Sequence, residues 1–217
     1  MPDKKANIAV LVSGGGTNLQ ALIDAQRSGI LKSGRIVLTI SNRSDAYALN
    51  RARDAGIDTR VITKKDCGSA AEFERRIAEA LDEYGIDLIV LAGFMSILSA
   101  DFTRRFERRI INVHPSLIPS FCGKGMYGHH VHEAALEYGV KVSGATVHFV
   151  SEDIDAGPIV FQGSVPVEEG DTPDTLAARI LPVEHTLLPE AVRLFCQDRI
   201  VIDGRRVKIL PPEEAKA

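Results

Sequence analysis

Apolar residues in the first half of the chain alternate between short unbroken runs and spaced stripes. Residues 7–12 (Asn7-Ile8-Ala9-Val10-Leu11-Val12) are too few for a helix and suit a strand covered on both faces. Leu19, Leu22, Ile23 and Ala25 then recur at helical spacing, and Gly29 closes that stretch. The pair of patterns repeats, with strands expected at 36–40, 58–62 and 87–91 and helices at 46–55 and 70–84. Gly56 and Gly85 end those helices, and Phe73, Ile77, Ala80 and Leu81 mark the inward stripe of the later one. A βαβαβαβ succession predicts a parallel sheet with helices on both faces.

The second half follows another rhythm. A strand at 110–113 leads into a long loop with Pro115, Pro119, Gly123, Gly125 and Gly128, then a short helix at 131–138. Strands at 140–150 and 159–167 flank the turn Asp155-Ala156-Gly157-Pro158 and form an antiparallel extension of the sheet. Thr172-Pro173-Asp174-Thr175 starts a helix that runs to about Gln197, bent or interrupted at Pro182 and Pro189. A hairpin follows at 199–202 and 206–209 across Asp203-Gly204, and the tail 211–217 is expected to be disordered. With no repeat and no linker, residues 1–217 read as one α/β domain: an open, mostly parallel twisted sheet with helices on both faces and an antiparallel extension.

Composition narrows the function classes. In 217 residues, 45% hydrophobic and 25% charged, the net charge is −3 with acids and bases interspersed, unlike the basic face of a nucleic-acid binder. No apolar run approaches the ~20 residues that span a bilayer. Met1-Pro2-Asp3-Lys4-Lys5 leads into a strand rather than a signal-type apolar stretch. The cysteines Cys67, Cys122 and Cys196 have no Cys-x-x-Cys spacing, which argues against disulfides and zinc. The expectation is a cytoplasmic, metal-independent protein acting on small molecules, a monomer or homodimer, with no nucleic-acid or membrane partner.

Ser13-Gly14-Gly15-Gly16-Thr17-Asn18 joins the first strand to the first helix, where bare backbone and a helix N-terminus suit a phosphate. A dinucleotide fingerprint would need glycine at Leu19, and Ser41-Asn42-Arg43 lacks the acid after the second strand. No Gly-Lys-Ser/Thr follows, which leaves one phosphate monoester, with Thr17 and Asn18 adding side-chain donors.

Asn112-Val113-His114 carries the other chemistry. Alternate residues of a strand point the same way, so an amide and an imidazole share one face, and Asp155 comes in from a distant turn. A carboxylate beside an imidazole favours its charged form, and imidazolium plus carboxamide make a two-donor cradle for an oxyanion. No serine, cysteine or lysine is placed for activation by His114, so direct transfer or hydrolysis is expected rather than covalent catalysis. His129, His130 and His132 read as solvent-facing loop histidines, and His148 either lines the site or fills the core.

At this point the chain resembles the phosphoribosylglycinamide formyltransferases, folate-dependent enzymes of purine synthesis. The likeness rests on residues 13–18, on Leu91-Ala-Gly-Phe-Met-Ser-Ile-Leu98, on Asn112-Val-His-Pro-Ser-Leu-Ile-Pro119, on Thr146-Val-His-Phe-Val150 leading to Asp155-Ala-Gly-Pro158, and on Glu184-His185. It implies the Rossmann-like formyltransferase fold, with residues 1–95 as the phosphate-binding half and 96–217 as the catalytic and folate-binding half. It further implies that Asn112 and His114 bind the formyl oxygen while Asp155 keeps His114 protonated. Gly16, Thr17 and Asn18 would grip the substrate phosphate, and Glu184 would contact the glycinamide substrate. Met95, Ser96, Ile97 and Leu98, with Asn112, would line the pteridine pocket of 10-formyltetrahydrofolate, the co-substrate, and no metal is implied. Departures are Gly15 where the family often has Asn, Ser96 in place of Arg, Ala70 near the usual folate-tail Arg (Lys64 or Lys65 standing in), and a longer loop at 121–128. Rival readings are a formyltetrahydrofolate hydrolase, a methionyl-tRNA formyltransferase, and a non-catalytic phosphometabolite-binding domain. The two enzymes normally carry an added N-terminal regulatory domain or C-terminal barrel, for which this chain is expected to leave no room.

Overall fold

A computed structural model describes residues 5–212. The elements in chain order are β1 (Ala6–Val12), α1 (Thr17–Arg27), β2 (Gly34–Ser41), α2 (Ala48–Asp54), β3 (Asp58–Val61), α3 (Lys64–Cys67), α4 (Ala70–Glu83), β4 (Leu88–Leu91), α5 (Ala100–Arg105), β5 (Ile110–His114), α6 (His129–Tyr138), β6 (Val142–Phe149), β7 (Ile159–Pro166), α7 (Pro173–Cys196), β8 (Ile200–Asp203) and β9 (Arg206–Ile209). β1 to β7 form one sheet in the order β3-β2-β1-β4-β5-β6-β7, and β8 pairs with β9 apart from it. Neighbours from β3 to β5 run parallel, whereas β6 is antiparallel to both β5 and β7. The expected parallel sheet with an antiparallel extension is therefore what forms.

The unbroken apolar runs have a simple cause: both faces are covered. Ile8, Val10 and Val12 of β1 pack with Leu19, Leu22 and Ile23 of α1 and with Leu188 and Val192 of α7. Ala9 and Leu11, on the other face, pack with Phe73, Ile77 and Leu81 of α4 and with Phe102 of α5. α4 begins where the Ser69 hydroxyl accepts the Glu72 N–H, and α7 begins in a capping box at Thr172 with Pro173 in its first turn.

Three expectations need correction. α7 runs unbroken through Pro182 and Pro189. Each interior proline costs about 3 kcal/mol, but burial of Leu176, Ile180, Leu188, Val192 and Leu194 offsets this at about 1.5–3 kcal/mol per side chain. α3 and α5 were not anticipated; both are too short to display a period, and each starts at a side-chain cap, Thr63 and Ser99. The histidine cluster is not in a loop: it opens α6, with His129 and His130 exposed and His132 buried. Of the expected disordered tail, Pro211 and Pro212 are exposed and the rest lies outside the described residues. No helix among the described residues is long and apolar enough to cross a membrane.

Strand order positions the site. The chain leaves β1 towards β2 and β3, then returns to β4 and β5 on the opposite side, so a crevice opens between the carboxyl ends of β1 and β4.

Candidate active site

Polar side chains from several elements gather around the carboxyl end of β5. β5 ends in Asn112 and His114, which alternate with Ile111 and Val113 of the α1/α7 core and so face the opposite side. Pairing across β5 and β6 sets Asn112 opposite His148 and His114 opposite Thr146. The turn after β6 brings Asp155, whose backbone is left-handed at φ 53°, a conformation Asp tolerates better than most residues. That turn is pressed onto the end of β6: a Cβ on Gly157 would lie 1.8 Å from the Phe149 carbonyl oxygen. Only glycine fits there.

The Asp155 Oδ2 lies 3.8 Å from His114 Nδ1 and its Oδ1 lies 3.7 Å from His148 Nε2. Both separations are longer than a hydrogen bond. The loop after β5 holds both partners: Gly123 N–H donates to Asp155 Oδ2 at 2.9 Å, and His114 Nε2–H donates to the Phe121 carbonyl at 2.9 Å. With Nε2 so occupied, His114 has its Nδ1 edge towards Asp155.

Asn112, His114, Asp155 and residues 95–98 all line one cleft of about 330 Å³, walled also by Phe94, Val113, Tyr127 and Ile154. Met95 and Ile97 are 55% and 63% exposed, an unusual placement for large apolar side chains outside a binding surface. Asn42 Nδ2 donates to the Ser96 hydroxyl at 2.9 Å, tying this segment to the end of β2. The Ser13 hydroxyl accepts the Met95 N–H at 2.8 Å and so fastens the glycine turn to the cleft wall.

The glycine turn itself is built around Gly16. Its φ is 72°, and a Cβ there would lie 2.5 Å from Ala48 Cβ, so turn and α2 are in direct contact. Gly16 is also the N-cap of α1 and makes no side-chain capping bond, which leaves first-turn N–H groups free for an anion. Asn18 is tied to the last long helix, α7. Its Nδ2 donates one hydrogen to Glu184 Oε2 at 2.6 Å, which leaves the second Nδ2 hydrogen and the Thr17 hydroxyl as side-chain donors beside the turn. Burial raises the Glu184 pKa, opposed by the Asn18 bond. Gly16, Thr17, Asn18 and Glu184 do not wall the 330 Å³ cleft; Thr17 opens instead on a wider hollow of about 800 Å³ with Gln20, Arg51 and His185.

Sequence reasoning missed two participants and left a third, His148, undecided. Arg51 donates through Nε to the Gly15 carbonyl at 2.8 Å and through Nη1 to Gln20 Oε1 at 3.1 Å, placing a cation beside the turn. No local signal in α2 announces this. Lys124 is the only lysine or arginine among the cleft residues. Its flanking Gly123 and Gly125, both with positive φ, were the available hint. Lys64, by contrast, sits over the Phe73 ring at 5.6 Å and is not part of the cleft wall. His148 proves to be a site residue and not a core filler. Among the described residues, no group of three or more His, Cys, Asp or Glu is disposed to hold a metal ion.

Fold and site together define a Rossmann-like α/β protein in which Asn112, His114 and Asp155 share one cleft near a glycine turn. The chain matches the Formyl transferase family over residues 6–192 and belongs to it. The resemblance read from the motifs is borne out by named relatives. Phosphoribosylglycinamide formyltransferase of Escherichia coli is 40% identical over 214 residues, covering 95% of this chain and 97% of that protein. The human trifunctional purine biosynthetic protein adenosine-3 is 48% identical over 206 residues, and the chain spans only 20% of its length. Among solved structures, glycinamide ribonucleotide transformylase 1 from Symbiobacterium toebii superposes with a TM-score of 0.90 at 48% identity, covering 95% of each chain. A formyltetrahydrofolate deformylase from Pseudomonas syringae has a TM-score of 0.86 at 25% identity, covering 96% of this chain and 67% of that one.

Proposed function

We propose that this chain transfers the formyl group of 10-formyltetrahydrofolate to the primary amine of glycinamide ribonucleotide, a step of purine biosynthesis. The observation that carries this reading is the meeting of Asn112, His114 and Asp155 in a cleft with an apolar lip, strapped through Ser13 to a glycine turn suited to a phosphate. The amine nitrogen attacks the formyl carbon, forming a C–N bond and turning the formyl oxygen into an oxyanion. His114, through the Nδ1–H that Phe121 leaves free, and Asn112 donate to that oxygen, with the Asp155 carboxylate 3.8 Å from the same ring nitrogen. The bond from carbon to folate N10 then breaks, and a proton passes from the attacking nitrogen to N10, through water ordered by Asp155. Residues 95–98 present the pteridine pocket, while Gly16, Thr17 and Asn18, with Arg51 beside them, answer the substrate phosphate and Glu184 contacts the glycinamide part. The same reading takes the chain as one working domain in the cytoplasm, a monomer or homodimer that needs no metal, nucleic acid or membrane.

The test is spectrophotometric. Consumption of 10-formyltetrahydrofolate only when glycinamide ribonucleotide is present supports transfer. Consumption without the ribonucleotide assigns hydrolysis instead, and no consumption leaves a binding domain.

A further inference from the structure

His148 has the environment of a fixed instrument. It is 1% exposed, sits directly across the ladder from Asn112, and is the only residue that hydrogen-bonds the Asn112 side chain among the described residues. Its Nδ1 lies 2.9 Å from the Phe149 carbonyl oxygen, which has only lone pairs to offer, so Nδ1 must carry the proton. Burial pushes the His148 pKa down and favours the neutral ring, against the pull of the Phe149 carbonyl and the Asp155 carboxylate. A neutral ring with its proton on Nδ1 has a bare lone pair on Nε2, and Asn112 Nδ2 lies 3.2 Å from it.

The alternatives fail on the same contacts. A proton moved to Nε2 would set the Nδ1 lone pair against the Phe149 carbonyl. A doubly protonated ring would turn an Nε2–H onto the Asn112 Nδ2 donor 3.2 Å away. An Asn112 amide turned over would point its own oxygen at a lone pair. We propose that His148 is a positioning residue: held as the Nδ1–H tautomer by the Phe149 carbonyl, it orients the Asn112 carboxamide so that the second Nδ2 hydrogen faces the formyl oxygen. A carboxamide free to rotate would present an oxygen to a developing oxyanion about as readily as a hydrogen. Which residue in the strand carries the donor is thus Asn112, and which way round it sits is decided across the ladder by His148.

This inference rests on the formyl-transfer reading, and a double-mutant cycle separates the two. Asn112→Ala alone tests the reading: loss of an oxyanion donor lowers kcat by about 10²–10³-fold, and an unchanged kcat would remove the oxyanion role whatever His148 does. His148→Ala is expected to lower kcat by up to about 10²-fold with KM for both substrates nearly unchanged. In the Asn112→Ala background it is expected to do nothing further. Multiplicative losses in the double variant would show a separate structural role and overturn the proposal. His148→Gln decides the matter even if His148→Ala does not fold, because its amide oxygen reaches the Nε2 position as an acceptor. A kcat near that of the unaltered protein supports the proposal, and a kcat as low as that of Asn112→Ala overturns it.

Discussion

Replacing Gly16 by alanine tests whether the glycine turn is held by shape. Two costs can be worked from the structure. At φ 72° an alanine sits in the left-handed region, at roughly 1–2 kcal/mol. Its Cβ would also lie 2.5 Å from Ala48 Cβ and 2.8 Å from Ala48 Cα, and overpacking of this kind costs about 1–3 kcal/mol. Reduced freedom of the unfolded chain returns about 0.4–1 kcal/mol. The net loss is about 2–4 kcal/mol, a large part of the roughly 5–15 kcal/mol that holds a domain folded. With an m-value of about 2–3 kcal/mol per molar urea, the unfolding midpoint should fall by about 1–2 M. Gly15→Ala is the control: its φ is not positive and nothing lies within 4 Å of its Cβ position, so its midpoint should not fall. Function should follow shape. Displacing the turn from α2 breaks its contact through the Ala48 N–H to the Gly14 carbonyl (3.0 Å), so the KM for glycinamide ribonucleotide should rise in Gly16→Ala. Adding Ala48→Gly removes the nearer clash but not the one with Cα, and should rescue only part of the loss. If Gly16→Ala and Gly15→Ala unfold at the same urea concentration, close approach to α2 does not govern the turn.

Further expectations concern charge. Asp155→Asn preserves the left-handed backbone yet removes the carboxylate, so turnover should fall about 10²–10⁴-fold while the KM for the ribonucleotide changes little; equal loss of both would make Asp155 structural. Lys124→Ala should raise the KM for the folate co-substrate severalfold with kcat retained, because Lys124 is the cleft's one Lys or Arg; finding that phenotype in Lys64→Ala instead would return the folate tail to α3. Burial lowers the pKa of His132, His148 and His185 from 6.5, so the unfolded chain binds more protons than the folded one as pH falls below that value. The stability these groups contribute is whole above pH 6.5 and is lost on acidification towards their folded values. Thermal melts from pH 7.5 to 5 should show a falling Tm, and a flat profile would contradict their burial in neutral form.

What could be read from the sequence was whatever a period or an unbroken run encodes. β1 and β4 announced themselves because both faces are buried, and α4 because Phe73, Ile77 and Leu81 repeat every four residues. Asn112 and His114 were legible as a pair because strand alternation fixes their common side. The proximity of Asp155 was inferred from chemistry and then met at 3.8 Å. Contacts set by pairing or by packing between elements were not legible. His148 faces Asn112 only because of the β5–β6 register, and Arg51 reaches Gly15 only because α2 lies against the turn. α3, at four residues, buries nothing and leaves no stripe, whereas α7 keeps its helix through two prolines because tertiary burial outweighs local preference.

The reversal of direction between β5 and β6 has an evolutionary corollary. Asn112 has Leu91 beside it on one flank and His148 on the other, and both partnerships belong to backbone ladders. Adding or deleting a single residue within β6 would rotate His148 into the hydrophobic layer under α7 and bring Val147 or Phe149 to Asn112 in its stead. Length changes at 125–128, outside any ladder and beyond the Phe121 and Gly123 bonds to His114 and Asp155, carry no such penalty. Divergence among such proteins should accordingly collect as insertions in that loop and as point substitutions, never single-residue insertions or deletions, in the strand.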